Sequence, residues 1–167
     1  MIIMIDIAKQ AWSSDGYLDR QGFMYNIPYG SLSVGKKGCG FIAGFNALKA
    51  IGLNPDVEQV YQWFVSHLIF KGKIGTTVFQ VCRFLRKNSV KFRIVLGKKQ
   101  YSKVKVGIML YYAGGGYHWV TYYFDEKTSK FRFINADGHY STVVRYTIDE
   151  FLKKHSKSWF HYVIKIK

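Results

Sequence analysis

Gly38-Cys39-Gly40-Phe41-Ile42-Ala43-Gly44-Phe45-Asn46-Ala47-Leu48 is the stretch on which the reading of this chain turns. A cysteine lies between two glycines and a helical period starts at once. Phe41, Phe45 and Leu48 share one face, with Ile42 and Ala43 beside them. Cys39 therefore falls at or just before a helix N-terminus, where unpaired N–H groups and the helix dipole favour negative charge. Lys36 and Lys37, just upstream, act in the same direction. The thiolate is the nucleophilic form of cysteine, so this position suits a reactive sulfur. The flanking glycines keep bulk away from it and let a substrate approach closely. The competing reading is a cysteine that merely packs in a core.

Downstream, Gly52 ends this helix. Asn54-Pro55 starts a second, with Asn as N-cap, Pro in the first helical position and an apolar set of Val57, Val60, Tyr61, Phe64 and Leu68. Thr77-Val78-Phe79-Gln80 fits a capping box for a third, with Thr76 as the alternative cap. From residue 91 the period changes to two. Strands are expected over 91–96, 104–112, 117–124, 130–135, 142–146 and 159–166, and 97–103 reads as a polar connection. A second capping box, Thr147-Ile148-Asp149-Glu150, opens a short helix running to about His155. Helices come first and an antiparallel meander follows. That pattern predicts an α+β fold, with the N-terminal helices packed on one side of a C-terminal antiparallel sheet. Upstream, residues 26–35 read as a loop leading into the cysteine. Residues 1–25 show no strong period and read as an N-terminal appendage to a single domain spanning 1–167.

The composition sets the bounds. A chain of 167 residues, 49% hydrophobic, can build one substantial core, which argues against disorder. Its two cysteines, Cys39 and Cys82, form neither a disulfide framework nor a CxxC redox or zinc pattern, so no metal or cofactor is expected. Cys82 lies within the helical set Val78, Val81 and Leu85 and reads as core. The apolar start, Met1 to Ile5, is too short for a signal sequence, and no later run reaches the length of a membrane span. Cytoplasmic residence is the expectation, and export by a non-classical route stays compatible with it. The formal net charge of +15 argues for an acidic partner: a nucleic acid, an anionic surface or an acidic protein substrate. A solvated, lysine-rich face is the plainer alternative, since the lysines are scattered. Arg83, Arg86, Lys87, Lys91, Arg93, Lys98, Lys99, Lys103 and Lys105 interleave with Tyr101. No nucleic-acid-binding module accompanies them, which makes nucleic acid the lesser expectation.

A nucleophilic cysteine needs a base, usually His, and the His needs an orienting group. Five histidines are available. His67 and His155 lie in helices, His139 in a turn and His161 in the last strand. His118 alone starts a strand directly after a glycine turn, Gly114-Gly115-Gly116. The next strand ends in Phe133-Ile134-Asn135-Ala136-Asp137, and in a tight hairpin that end returns level with His118. Asn135 or Asp137 can then hold the ring through Nδ1–H, leaving Nε2 toward the sulfur. Asn135 closes the strand and is preferred; Asp137, on the same face, is the alternative third member.

Cys at a helix start, then helices, then His on a strand, then Asn or Asp at the end of the next strand: this order resembles the papain-like cysteine peptidases, most closely the bacterial C39-like branch. The resemblance is carried by Gly38-Cys39-Gly40-Phe41-Ile42-Ala43 with Asn46-Ala47-Leu48, by His118-Trp119-Val120, and by Phe133-Ile134-Asn135-Ala136-Asp137-Gly138, across about residues 26 to 140. It implies a papain-like fold and a peptidase or related thiol hydrolase or acyltransferase of Cys-His-Asn type, acting on a peptide or protein substrate. Cys39 would be nucleophile and His118 base. The family also places a Gln a few residues before the Cys to hold the oxyanion, and none lies between Met24 and Cys39. The Cys39 N–H is one substitute donor, and Asn26 or Ser33 a side-chain one. The alternative is a non-catalytic basic protein of the same fold that binds an acidic protein or a nucleic acid.

Overall fold

A computed structural model describes residues 6–136 and 144–167. Two very short strands, β1 (Pro28–Tyr29) and β2 (Leu32–Ser33), pair within the stretch expected to be loop. Four helices follow: α1 (Val34–Lys37), α2 (Cys39–Ala50), α3 (Val57–Ser66) and α4 (Val78–Lys87). Then come β3 (Phe92–Val95), α5 (Lys98–Tyr101), β4 (Val106–Tyr112), β5 (Tyr117–Asp125), β6 (Lys130–Ile134), β7 (Val144–Tyr146), α6 (Ile148–His155) and β8 (His161–Ile166).

Side-chain caps set three of the helix starts, those of α3, α4 and α6. Thr77 and Thr147 each close a capping box, with Gln80 and Glu150 respectively. The cap of α3 is Asp56 rather than Asn54: its carboxylate accepts from the N–H groups of Glu58 at 2.8 Å and Gln59 at 3.0 Å. An ionised oxygen at a helix start is a stronger acceptor than an amide and also meets the dipole, so the helix begins after Asp56.

The chain is α+β, and β3 to β8 form one six-stranded antiparallel sheet in the order β3-β8-β4-β5-β6-β7. It is not a simple meander, because the last strand inserts between β3 and β4, pairing Ile164 with both Ile94 and Ile108. The N-terminal helices cover one face of the sheet, and α5 and α6 cover the other. Ile108, Trp119 and Ile164 pack with Phe41, Phe64 and Leu85 beneath α2, α3 and α4. Met109, Val120 and Val163 face the opposite way, into a second core with Tyr101, Phe151 and Leu152 from α5 and α6. A strand buried on both faces reads as a continuous apolar run, as Ile108 to Tyr111 does.

The described part of the N-terminal stretch packs into the domain rather than standing off as an appendage. Ala11, Leu18 and Met24 are fully buried in the first core. The buried Asn46 amide on α2 grips Leu18 from both sides, accepting from its N–H at 2.9 Å and donating to its carbonyl at 2.8 Å. These bonds satisfy polar groups that burial would otherwise penalise, and they fix the next residues, Asp19 to Gln21, against the sheet.

Candidate active site

Close approaches at the two flanking glycines place Cys39. Gly38 joins α1 to α2; a Cβ there would stand 2.5 Å from Val34 Cγ1, so a larger residue does not fit. At Gly40 a Cβ would lie 2.2 Å from Thr76 Cβ, which shows how tightly the start of α2 is pressed onto the segment before α4. Thr76 in turn shares a hydrogen bond with the Tyr29 hydroxyl at 3.0 Å and accepts from Trp119 Nε1 at 2.9 Å. Thr121 Oγ1 donates to Ala43 O at 2.8 Å, tying α2 along β5. The helix carrying Cys39 and the strand carrying His118 are thus bound to each other by buried polar contacts.

Cys39 is the first residue of α2, 8% exposed, on the wall of a cleft of about 530 Å³ that His118 and Trp119 also line. Its burial pushes the thiol upward. The hydrogen bond and charge of His118, with the N–H groups of Trp119 and Gly40, outweigh that effect and lower it below its ordinary value. Cys82 is the contrast: burial pushes its thiol up, as suits a core residue. Among the other histidines, His67 stacks on Trp63 at 4.2 Å and His161 lies against Tyr101 at 5.5 Å, both away from Cys39; His155 stacks on Phe151 at 4.7 Å, and His139 lies outside the described residues.

The orienting contact differs from expectation. His118 Nε2 donates to the main-chain oxygen of Asn135 at 2.7 Å, which leaves Nδ1 for the sulfur, the reverse of the expected ring assignment. Asn135 has a φ of 62°, a left-handed conformation that Asn tolerates better than most residues, and this turn presents its carbonyl to the imidazole. The Asn135 side chain points elsewhere. Its Nδ2 donates to Gln21 Oε1 at 3.1 Å, and its Oδ1 accepts from the Gln21 N–H at 3.2 Å. Its own N–H donates to Asp19 Oδ1 at 2.7 Å. Asp137 lies outside the described residues.

Neither substitute oxyanion donor reaches the cleft: Asn26 is exposed, and Ser33 precedes α1 without lining the cavity. Gln21 does line it, although it lies upstream of the Met24–Cys39 stretch in which the family pattern calls for a Gln. Its Nε2 donates to the carbonyls of Val34 at 2.9 Å and Gly35 at 3.2 Å, which anchors the turn before Cys39. Lys36 and Lys37 line one side of the cleft, and Gly115, Gly116 and Tyr117 another.

No protein-family model matches this sequence, and no curated protein matches it. Among the described residues no cluster of three or more His, Cys, Asp or Glu could hold a metal ion, and no helix is long and apolar enough to cross a membrane.

Proposed function

We propose that this protein is a thiol hydrolase of papain-like fold that cleaves peptide bonds. The observation that carries the reading is the Cys39 thiol at a helix N-terminus, hydrogen-bonded to His118 and lowered by it, on the wall of an open cleft. The Cys39 thiolate attacks the substrate carbonyl carbon. A C–S bond forms as the carbonyl electron pair moves onto oxygen, where the Cys39 N–H supplies a donor. The tetrahedral species collapses as the His118 imidazolium gives its proton to the departing amine, leaving a thioester. Water, deprotonated by His118, attacks the thioester, releases the carboxylic acid and restores the thiolate. The Asn135 carbonyl keeps the proton on Nε2 and the lone pair on Nδ1, and steadies the ring when it is charged. The two free cysteines suit a reducing, cytoplasmic setting.

A second reading draws on Gln21. Its amide hydrogens serve the main-chain carbonyls of Val34 and Gly35, so this side chain is not committed to an oxyanion. This favours a basic papain-like protein that binds an acidic partner without turnover. The two separate on incubation with a complex peptide pool, with new amino termini read by mass spectrometry. The hydrolase reading expects cleavages that vanish in both Cys39→Ala and His118→Ala. The absence of any cleavage, with Cys39 alkylated no faster than a free thiol, overturns it.

A further inference from the structure

We infer that the cleft selects a peptide carrying a carboxylate side chain within about two residues of the attacked bond, held by Lys36 and Lys37. The inference rests on the thiol-hydrolase reading above. Lys36 and Lys37 close α1 immediately before the Gly38-Cys39 junction, and both line the cleft that holds the sulfur. No Asp or Glu among the described residues lines it with them. Among the described residues no carboxylate pairs with either lysine; the one salt bridge there joins Arg132 to Asp15. The Lys37 stem passes near Gly75, another residue of the cleft wall, whose Cβ, were there one, would stand 3.7 Å from the lysine Cδ. Charge of a single sign in a partly desolvated groove concentrates and orients ligands of the opposite sign.

Across the cleft the wall has another character. A Cβ on Gly115 or Gly116 would meet nothing within 4 Å, so that lip is open space at main-chain level. Tyr117 beside it is 57% exposed, edge-on to Phe160 at 6.0 Å and Tyr112 at 5.5 Å. An extended peptide fits this arrangement, with its backbone along the glycine lip and a side-chain carboxylate reaching the lysine wall. A nucleic acid suits it less well. Its backbone charges recur at every residue and would bring a phosphate against the Cys39 thiolate, whereas a side-chain carboxylate stands off to one side.

The test compares alkylation of Cys39 by iodoacetate and by iodoacetamide, each rate normalised to glutathione and read by peptide mapping. In the wild type the iodoacetate-to-iodoacetamide ratio is expected about tenfold above that of glutathione, part of it due to the His118 charge. It falls severalfold in Lys36→Gln/Lys37→Gln, falls further in Lys36→Glu/Lys37→Glu, and shrinks in half-molar salt. Above the pH at which Cys39 is fully ionised, the iodoacetamide rate changes far less than the iodoacetate rate, because the neutral reagent does not meet the lysine charge. A ratio indifferent to the Glu pair overturns the lysine assignment and leaves the hydrolase reading intact. An iodoacetamide rate no faster than glutathione removes the activated thiol itself. Protection of Cys39 by peptides completes the test: an Asp-containing peptide is expected to protect at concentrations about tenfold below its Asn isostere. Equal protection by the two, or better protection by a single-stranded oligonucleotide, overturns the peptide-carboxylate assignment.

Discussion

Replacing Asn135 with glycine separates the work of its main chain from that of its side chain. The substitution removes the two buried bonds to Gln21, of 3.1 and 3.2 Å. Each loss strands a partner that burial penalises, at about 1–3 kcal/mol. Glycine gives back roughly 0.5–1 kcal/mol by relieving the left-handed φ of 62°. The net expectation is a loss of about 1–5 kcal/mol in urea unfolding, the two lost bonds less that gain. The Nε2-to-carbonyl bond of 2.7 Å survives, because it uses only main chain, and Asp19 Oδ1 still grips the residue's N–H at 2.7 Å. Cys39 should then keep its lowered titration. The assay is the pH dependence of iodoacetamide alkylation at low temperature, where the variant stays folded, with buried Cys82 as internal reference. The acidic limb for Cys39 should move by less than about half a pH unit, under 1 kcal/mol of altered interaction. If Asn135→Gly moves it as far toward an ordinary thiol as His118→Ala does, while keeping a cooperative melt, the side chain rather than the carbonyl orients the imidazole.

The remaining predictions are more local. Gly40→Ala forces a methyl into Thr76, 2.2 Å away, and is expected to lower unfolding free energy by about 3 kcal/mol with Cys39 alkylation reduced. Trp119→Phe deletes the 2.9 Å bond to Thr76 O and should cost about 1–3 kcal/mol in the same measurement, because the stranded carbonyl is buried. Arg132 holds Asp15 at about 2, against an ordinary 3.8, by hydrogen bonds that outweigh partial burial. A carboxylate lowered on folding stabilises above its unfolded value and loses that effect as pH falls through 3.8 toward 2. Asp15→Asn should therefore lower the melting temperature at neutral pH and match the wild type near pH 2. With the Asp15 side chain 43% exposed, solvent screening holds the neutral-pH effect to about 1 kcal/mol or less.

What the sequence disclosed, and what it did not, follows the range of the interactions involved. The boxes at Thr77 and Thr147 are complete within four residues, and both helices begin where those residues predict. The helix after Cys39 and the strands from 91 onward are likewise written in their own periodicity. The place of β8 is not. Ile164 meets Ile94 and Ile108 across the sheet, and no local pattern distinguishes an edge strand from an inserted one when both are apolar. The same holds for α6. Its apolar stripe was legible, but the face of the sheet it covers depends on how Phe151 finds Phe133, stacked at 3.7 Å.

The candidate site divides along the same line. Cys39 and His118 were readable because each sits beside a local signal, a helix start and a glycine turn. The contact that orients His118 was not, because it comes from a carbonyl whose direction is set by one backbone angle. The only trace of that angle in the sequence is that the residue there is Asn, which tolerates the left-handed region. The groups holding Asn135 in place come from Asp19 and Gln21, which look like unpatterned loop until Asn46 is seen to grip Leu18. The connections run from α2 through residues 18–21 to Asn135, and from there to His118. That path fixes the helix bearing the sulfur against the end of β6 by buried bonds to a third segment, in addition to the direct contact between α2 and β5. A stretch without secondary-structure periodicity can thus be among the most constrained parts of a fold, because its order comes from buried polar partners distant in the chain.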